Sequence, residues 1–390
     1  PLTEKMPSLE DVVIVCAIRT PLCRSRKGGL KDVPASTLLT TVLKETLKRT
    51  KLEGSDVEDI CVGNVLAPPA SAAAWRMAAF VAGFPDSTSL STCNRQCSSS
   101  LQAVANIANA IQAGDIRIGI GCGVESMTQS PMDKIKPPEV DWSIMKKNKE
   151  AMDCLIPMGL TSENVCTEFG LHRRSLDEFA VASHQKASKA QFFGKFDAEI
   201  VPVGNIRRDD GIRAESTLES LSTLKPVFST SGLTTAGNSS QTTDGAAAVV
   251  LMTRREALKR QLSIMGVWRG YAVKGVPPHI MGIGPAVAIP AVLQKCNVRI
   301  EDVDVFEINE AFASQATWCI SELMIPIEKV NPNGGAIALG HPLGCTGSRQ
   351  ITTLLHEMIR EKHRFGIVSM CIGTGMGAAA LIELELRSSM

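Results

Sequence analysis

The strongest constraint on the fold of this 390-residue chain is a pattern that occurs twice. The sequence D-V-E-D-I at 56–60 returns in similar form as D-V-D-V-F at 302–306, and the apolar run at 116–122 corresponds to the run at 365–371. An internal duplication of one domain explains this length better than two unrelated domains do. Two similar halves packed together would bring equivalent turns face to face, so one site can be shared between them.

Strands and helices alternate in both halves. A valine-rich run at 11–17 predicts a buried strand, and apolar residues at helical spacing over 37–50 predict a helix. Such alternation is typical of an α/β fold, here with duplicated βαβ-rich domains. Each domain is expected to hold a mixed, mostly parallel sheet with helices on both sides.

The alternation stops in the middle of the chain, where single turns and a proline pair interrupt it. Two helices are expected there, at 162–169 and 175–192. We interpret this region as a loop and helical insertion domain laid over the α/β core. The expected boundaries are 1–124 with 241–262 for the N-terminal half, 125–240 for the insertion and 263–390 for the C-terminal half.

The composition argues against several classes of protein. A hydrophobic content of 44%, a charged content of 21% and a net charge of +1 describe a globular chain with no reason to bind nucleic acid. No run approaches the ~18 apolar residues of a membrane span, so membrane insertion is not expected. The twelve cysteines form no C-x-x-C pair, which disfavours a metal site and a disulfide scaffold.

One cysteine, Cys97, lies where a strand ending near Thr92 meets an apolar helical pattern at 101–111. At such a turn the backbone N–H groups and the helix dipole favour a thiolate. A thiolate that attacks a substrate needs a proton acceptor and an oxyanion site nearby. The alternative is a small cysteine packed under the helix, since free cysteine is among the most buried residue types.

Glycine-rich or polar turns at strand ends could supply those partners. They lie at 234–241, 307–312, 333–342 and 371–377. The third turn contains His341, one of six histidines, and the fourth begins with Cys371. The G-x-G-x-x-G that a dinucleotide site requires after the first strand is absent. Two cysteines, a histidine and an asparagine on turns of two repeated halves indicate a shared catalytic site.

Four motifs in order make a family resemblance specific. They are N-R-Q-C-S-S at 94–99, N-E-A-F at 309–312, G-G-A-I-A-L-G-H-P at 334–342 and C-I-G-T-G-M-G at 371–377. With these motifs and the duplication, the chain resembles the thiolase family over essentially its whole length. The resemblance is strongest to the peroxisomal 3-ketoacyl-CoA thiolases.

The resemblance implies three main catalytic roles. Cys97 resembles the nucleophile that carries the acyl group as a thioester, and His341 resembles the base that accepts its proton and holds the thiolate as an ion pair. Cys371 resembles a second catalytic cysteine, which protonates the departing enolate and then deprotonates coenzyme A (CoA).

Four further positions follow from the same resemblance. Asn309 would hold a water that, with His341, binds the enolate oxygen, and the backbone N–H groups of Gly373 and Cys97 would bind the thioester oxygen. Ser240 would receive the pantetheine arm of CoA, and Met158 would form a wall on the acyl side.

The implied reaction is thiolytic cleavage of a 3-ketoacyl-CoA by CoA in fatty acid β-oxidation, which yields acetyl-CoA and a shortened acyl-CoA. CoA is then a co-substrate, no cofactor is bound permanently, and a homodimer in the peroxisome is expected, with the mitochondrion second. Two alternatives stay open: an acetoacetyl-CoA thiolase working in the condensing direction, and a catalytically inactive protein that binds CoA or acyl-CoA. A ketoacyl synthase is disfavoured, because that relative lacks the second cysteine.

Ser100 is a departure from the family, which usually has glycine there. If the position requires positive φ or a close backbone approach, a serine would strain the turn by ~1 kcal/mol or more. We favour a tolerated variant, since the motifs around it are intact.

Overall fold

The computed structural model describes residues 7–135 and 137–385, so residues 1–6 and 386–390 of the two expected halves lie outside the described residues. The strands are β1 (Val12–Arg19), β2 (Cys23–Arg24), β3 (Asp59–Gly63), β4 (Ser89–Cys93), β5 (Ile118–Ser126), β6 (Thr243–Thr253), β7 (Gly266–Gly275), β8 (Val305–Ile308), β9 (Phe365–Ile372) and β10 (Met376–Glu383). The helices are α1 (Ala35–Thr50), α2 (Ser71–Ala82), α3 (Ser99–Ala113), α4 (Trp142–Met145), α5 (Lys149–Asp153), α6 (Met158–Glu168), α7 (Arg173–Phe192), α8 (Leu218–Ser222), α9 (Arg254–Lys259), α10 (Gly284–Cys296), α11 (Ala313–Glu322), α12 (Ala336–Leu339) and α13 (Thr346–Glu361).

The strands of the described residues join one sheet in the order β4-β3-β5-β6-β1-β7-β10-β9-β8, with β2 paired to β6. In the first half, β3 is parallel to β4 and β5, whereas β6 is antiparallel to β5 and β1. In the second half, β8 is parallel to β9, whereas β10 is antiparallel to β9 and β7. One long strand in each half therefore runs against its neighbours, which confirms the mixed, mostly parallel sheets expected from the sequence.

The duplication is visible as one pairing order repeated on either side of the β1–β7 contact, where Val13 lies opposite Val267. The two copies of the sequence repeat both lead from a short 3-10 turn into a strand, β3 in one half and β8 in the other. A single parallel bridge between Phe306 and Val330 occupies the place of β4 in the second half. The duplicated α/β fold is thus confirmed.

The helices that follow the turns of Cys97 and His341, α3 and α13, pack against each other. α3 buries Leu101, Val104 and Ile111 along one face, and it ends at Gly114, whose φ of +83° suits glycine. These residues share a core cluster with Leu354 and other apolar residues of α13. The packing holds the turns at the starts of both helices side by side.

The two helices expected in the insertion are present as α6 and α7. α6 begins earlier than predicted, directly after Pro157, because the missing N–H of proline costs nothing where a helix starts. The boundaries of the three segments stay a prediction. Within the described part of the chain, no helix is both long and apolar enough to span a bilayer.

Ser100 lies in the first turn of α3, so the position does not require positive φ. The backbone approach is close: a Cβ added to Gly63 or Gly123 would overlap Ser100 atoms, so these two glycines provide the space that the serine occupies. The Ser100 hydroxyl accepts a 2.9 Å hydrogen bond from the Ser348 backbone N–H in the first turn of α13. This N–H has no partner within its own helix, and Ser100 therefore caps a helix of the other half.

Replacing Ser100 with alanine should leave the Ser348 N–H buried without this partner. A buried unsatisfied donor costs about 1–3 kcal/mol, so we expect the free energy of unfolding to fall by roughly that amount. Urea denaturation followed by circular dichroism measures the change. Ser175→Ala, in the first turn of α7, is a matched control, because Ser175 is partly exposed and donates only to the His172 carbonyl. Equal stabilities of both variants would contradict the capping role.

Candidate active site

Cys97 lies in the turn between β4 and α3 and is only 9% exposed. The turn is closed by Ser99, whose hydroxyl donates to the Gln96 carbonyl (2.6 Å) and accepts from the Arg95 N–H (3.0 Å). Gln96 takes a φ of +47°, which reverses the chain directly before the cysteine. The local sequence thus fixes the sulfur at the start of a helix.

Cys371, at the end of β9, is fully buried, and the turn after it brings Gly373 to Cys97. The backbone N–H groups of Gly373 and of Cys97 itself lie near the Cys97 sulfur and lower the pKa of its thiol, against the larger effect of burial. Thr374 and Gly375 take φ values of +68° and +92°, so the chain returns at once into β10. Burial raises the pKa of Cys371, and a charge on Cys97 would raise it further. A Cβ on Gly373 would lie 3.9 Å from Cβ of Gln96, the residue before Cys97, so the two cysteine turns are neighbours.

His341 lies just beyond α12 and is 5% exposed. Its Nε2 is 3.4 Å from Nδ2 of Asn309, and its Nδ1 is 2.7 Å from Oγ1 of Thr346. Asn309 follows β8 and is held from both sides: its backbone N–H donates to Ser369 (2.9 Å), and its carbonyl accepts from Gln315 (2.7 Å). The imidazole and the amide therefore have fixed positions.

A buried carboxylate, Glu310, holds the loop that leads to the histidine. Its Oε2 accepts from the Ser183 hydroxyl (2.6 Å) and the Ile337 N–H (3.1 Å), and its Oε1 accepts from the Asn331 amide (2.7 Å). A Cβ at Gly335 would overlap the carboxylate, so glycine is required at that point of the loop. Through these bonds the N-E-A-F motif fixes the adjacent G-G-A-I motif.

A second buried carboxylate, Glu125, joins the two halves next to the site. It accepts from the N–H groups of Val65 (3.1 Å), Leu66 (3.2 Å) and Gly344 (2.9 Å) and from the Asn64 amide (3.1 Å). Burial nevertheless raises the pKa of Glu125 to about 7. Gly344 belongs to the loop between His341 and α13, so this carboxylate positions that loop against the first half.

The two residues expected to contact CoA lie at the edge of the same site and are half-buried. Met158 begins α6, and its Sδ would lie 3.6 Å from a Cβ built on Gly373. The backbone N–H of Ser240 donates to the Ala311 carbonyl (3.0 Å), two residues beyond Asn309. All seven residues singled out from the sequence therefore belong to one region, while their roles stay predictions.

Burial dominates the electrostatics of the site. It raises the pKa of Cys97 to about 11, partly offset by the N–H groups of Gly373 and Cys97. It lowers the pKa of His341 to about 3, and the Arg349 guanidinium lowers it further. These shifts favour a neutral thiol and a neutral imidazole at rest, and they oppose the thiolate that the helix start alone favours. The reason is the cost of charge in a site closed to water.

Comparison with known proteins assigns the family. The model of the thiolase N-terminal domain matches residues 12–255, and that of the thiolase C-terminal domain matches residues 262–384. The chain belongs to the thiolase family.

Individual thiolases are similar to this chain over almost its full length. The rat peroxisomal 3-ketoacyl-CoA thiolase B is 55% identical, over 96% of this chain and 91% of the rat protein. The crystal structure of the dimeric peroxisomal thiolase of Saccharomyces cerevisiae superimposes with a TM-score of 0.93 at 46% identity, covering 98% of this chain and 99% of the yeast chain. The human mitochondrial 3-ketoacyl-CoA thiolase in complex with CoA gives a TM-score of 0.88 at 34% identity, covering 97% and 99%.

Three residues that position this thiolase site were missed in the sequence: Glu125, Glu310 and Thr346. Glu310 lies inside the N-E-A-F motif, and an acidic residue two positions after an apolar strand and directly before Ala311 and Phe312 was a signal for a buried, paired carboxylate. Nothing in the sequence separates Thr346 from other helix-starting threonines. Over residues 7–135 and 137–385, no group of three or more His, Cys, Asp or Glu side chains could hold a metal ion.

The raised pKa of Cys97 predicts how the thiol reacts when no substrate is added. Only the thiolate is alkylated, so the rate of Cys97 modification by iodoacetamide should rise about tenfold per pH unit from pH 7 to 9. Mass spectrometry of the peptide containing Cys97 measures the rate, and Cys97→Ala gives the background from the other cysteines. A rate that is already constant below pH 8 would show a thiolate–imidazolium pair at rest.

Proposed function

We propose that this chain is a 3-ketoacyl-CoA thiolase, which cleaves 3-ketoacyl-CoA with CoA to give acetyl-CoA and an acyl-CoA shortened by two carbons. The observation that carries the proposal is that two buried pairs, Cys97 with Cys371 and His341 with Asn309, lie on turns supplied by both halves. Leu343, two residues after His341, packs in one cluster with Cys97 and so supports a single site. The similarity to the rat and yeast peroxisomal thiolases supports the same activity.

In the first half-reaction, Cys97 attacks the 3-keto carbon while its proton passes to Nε2 of His341. The bond between C2 and C3 then breaks, the acyl group stays on Cys97 as a thioester, and acetyl-CoA leaves as its enolate. Cys371 donates the proton that converts the enolate into acetyl-CoA. Because both thiols are neutral at rest, Cys371 is in the protonated form that this step requires.

In the second half-reaction, the Cys371 thiolate takes the proton of an incoming CoA thiol. The CoA sulfur attacks the thioester, the shortened acyl-CoA leaves, and Cys97 recovers its proton from His341. The backbone N–H groups of Gly373 and Cys97 are the donors for the acyl oxygen, and such preorganised donors are commonly worth about 3–4 kcal/mol each in the transition state.

The surroundings of the Asn309 side chain support the enolate-binding role proposed for this residue. Its Oδ1 is buried, and among the described residues none pairs with that oxygen. Buried amide oxygens normally have a partner, often a water, so this atom fits the role of holding a water beside His341. That water and the imidazole would together bind the oxygen of the enolate.

The proposed partners are 3-ketoacyl-CoA, acetyl-CoA, CoA and a second copy of this chain. β4 is the outer strand of the sheet and pairs only with β3, and the neighbouring helix α2 exposes Met77, Phe80 and Val81. An unpaired edge beside exposed apolar side chains is a surface suited to association. The dimeric yeast relative supports a homodimer, and the rat and yeast relatives support a peroxisomal location.

Incubation with acetyl-CoA should transfer an acetyl group to Cys97. Intact-protein and peptide mass spectrometry should find one acetyl group on the peptide containing Cys97 and none in Cys97→Ala. Cys154→Ala is the matched control, since Cys154 is half-buried in the insertion and its sulfur contacts only the Thr374 carbonyl (3.8 Å). Acetylation of Cys97→Ala at the wild-type rate would refute the assignment, and no acetylation of either protein would favour an inactive CoA-binding protein.

The direction and chain length of the reaction are tested by thiolysis of 3-ketoacyl-CoA substrates of four and sixteen carbons. We expect cleavage of both, with activity retained on the long substrate, as for a degradative enzyme. The loss of the 3-ketoacyl-CoA absorbance measures each rate. Activity confined to the four-carbon substrate would instead favour the acetoacetyl-CoA enzyme working in the condensing direction.

A further inference from the structure

The side chain of Thr346 is the partner of the histidine on the face turned away from Asn309. Its Oγ1 lies 2.7 Å from Nδ1 of His341 and 3.0 Å from the carbonyl oxygen of Pro342. Thr346 is fully buried as the first residue of α13, and His341 is nearly so. Bulk water therefore cannot compete for the hydrogen bonds of either side chain.

The hydroxyl carries one hydrogen, and the Pro342 carbonyl can only accept one. Threonine at helical positions commonly donates to the carbonyl four residues earlier, which is the geometry found here. With its hydrogen on Pro342, the hydroxyl oxygen offers a lone pair to Nδ1, and Nδ1 then carries the proton of the neutral imidazole. The lone pair of the ring is left on Nε2, 3.4 Å from the Asn309 amide nitrogen, which can donate to it.

We propose that Thr346 is a positioning residue that fixes the tautomer of His341, so that Nε2 can receive the Cys97 proton. The contact works before and after proton transfer, because Nδ1–H donates to the same oxygen in the neutral ring and in the imidazolium. Its strength rises when the ring becomes charged, since charge-assisted hydrogen bonds are stronger. The contact therefore favours the state that the reaction must reach. The catalytic role of Thr346 rests on the proposed function, whereas the tautomer of His341 does not depend on it.

The buried neutral state of His341 makes the tautomer decisive. Burial lowers the pKa of this imidazole to about 3, so near neutral pH the ring has one N–H, and it is a base only at the other nitrogen. A ring with its proton on Nε2 would present a donor to Cys97 instead of an acceptor. A neutral hydroxyl can select the tautomer without adding a negative charge beside the site.

The direct test is nuclear magnetic resonance of protein labelled with ¹⁵N in the histidine rings, without substrate. We expect a protonated Nδ1 and an unprotonated Nε2 for His341, whose signals are identified by their loss in His341→Ala. Thr346→Val keeps the shape of the side chain and removes the hydroxyl, so it should change this tautomer signature, whereas Thr346→Ser should preserve it. A wild-type ring protonated on Nε2 would overturn the inference, even if Thr346→Val failed to fold.

The kinetic test is the rate of Cys97 acetylation by acetyl-CoA. Thr346→Val should lower this rate about tenfold, the effect of losing one buried hydrogen bond in the transition state, and Thr346→Ser should restore it to within about twofold. Thr352→Val is the matched control: Thr352 is fully buried in the same helix, and its hydroxyl donates to the Ser348 carbonyl (2.8 Å) and not to a histidine ring. Equal rates for the two valine variants would overturn the inference.

The two tests separate the inference from the proposed function. If the Nδ1–H tautomer is present and is lost in Thr346→Val, the positioning role of Thr346 stands even where no thiolysis is detected. If thiolysis proceeds but the tautomer is the opposite one, the function stands and the role of Thr346 falls.

Discussion

The site depends on how closely the two halves approach where α3 and α13 begin. A Cβ on Gly347 would overlap the backbone of Leu101, and a Cβ on Gly123 would overlap the carbonyl oxygen of Gly344, so main chain lies directly against main chain. Only glycine permits such an approach, and a larger side chain would force the halves apart. Because the helices touch at their first turns, the Cys97 turn of one half reaches the Gly373 turn of the other.

Buried ionisable groups hold the loops that meet where the two halves approach. Glu125 binds N–H groups of both halves, and Glu310 binds the loop before the histidine. Deeper in the second half, Arg349 and Glu307 form a 3.1 Å ion pair that is closed to solvent. Buried ions are costly unless they are well paired, and Nε and Nη2 of Arg349 have no hydrogen-bond partner among the described residues, so this pair is weak evidence for net stability. A shift of the loops bound by Glu125 or Glu310 would leave buried N–H groups without their acceptors.

The fold and most of the site followed from the sequence because their signals are local or repeated. The duplication predicted two equivalent halves, and the motifs around Cys97, His341 and Cys371 led to turns that lie in one region. Contacts between distant segments could not be predicted in this way. Two such contacts are the hydrogen bond between Ser100 and the Ser348 N–H and the contact between Thr346 and the imidazole. They depend on how helices pack together, which no residue pattern in the sequence indicates. The thiolate at Cys97 stays a prediction, and burial, which the sequence does not show, opposes it by raising the pKa of this thiol.

The closed, uncharged state of the two thiols also bears on their chemical durability. Peroxide and other oxidants attack the thiolate, and oxidation beyond the sulfenic acid is seldom reversed. Burial raises the pKa of both Cys97 and Cys371, so each sulfur is held in its less reactive protonated form between catalytic cycles. Under the proposed mechanism, Cys97 becomes reactive only when a substrate is bound and its proton passes to His341, so it is protected from oxidative damage for the rest of the time.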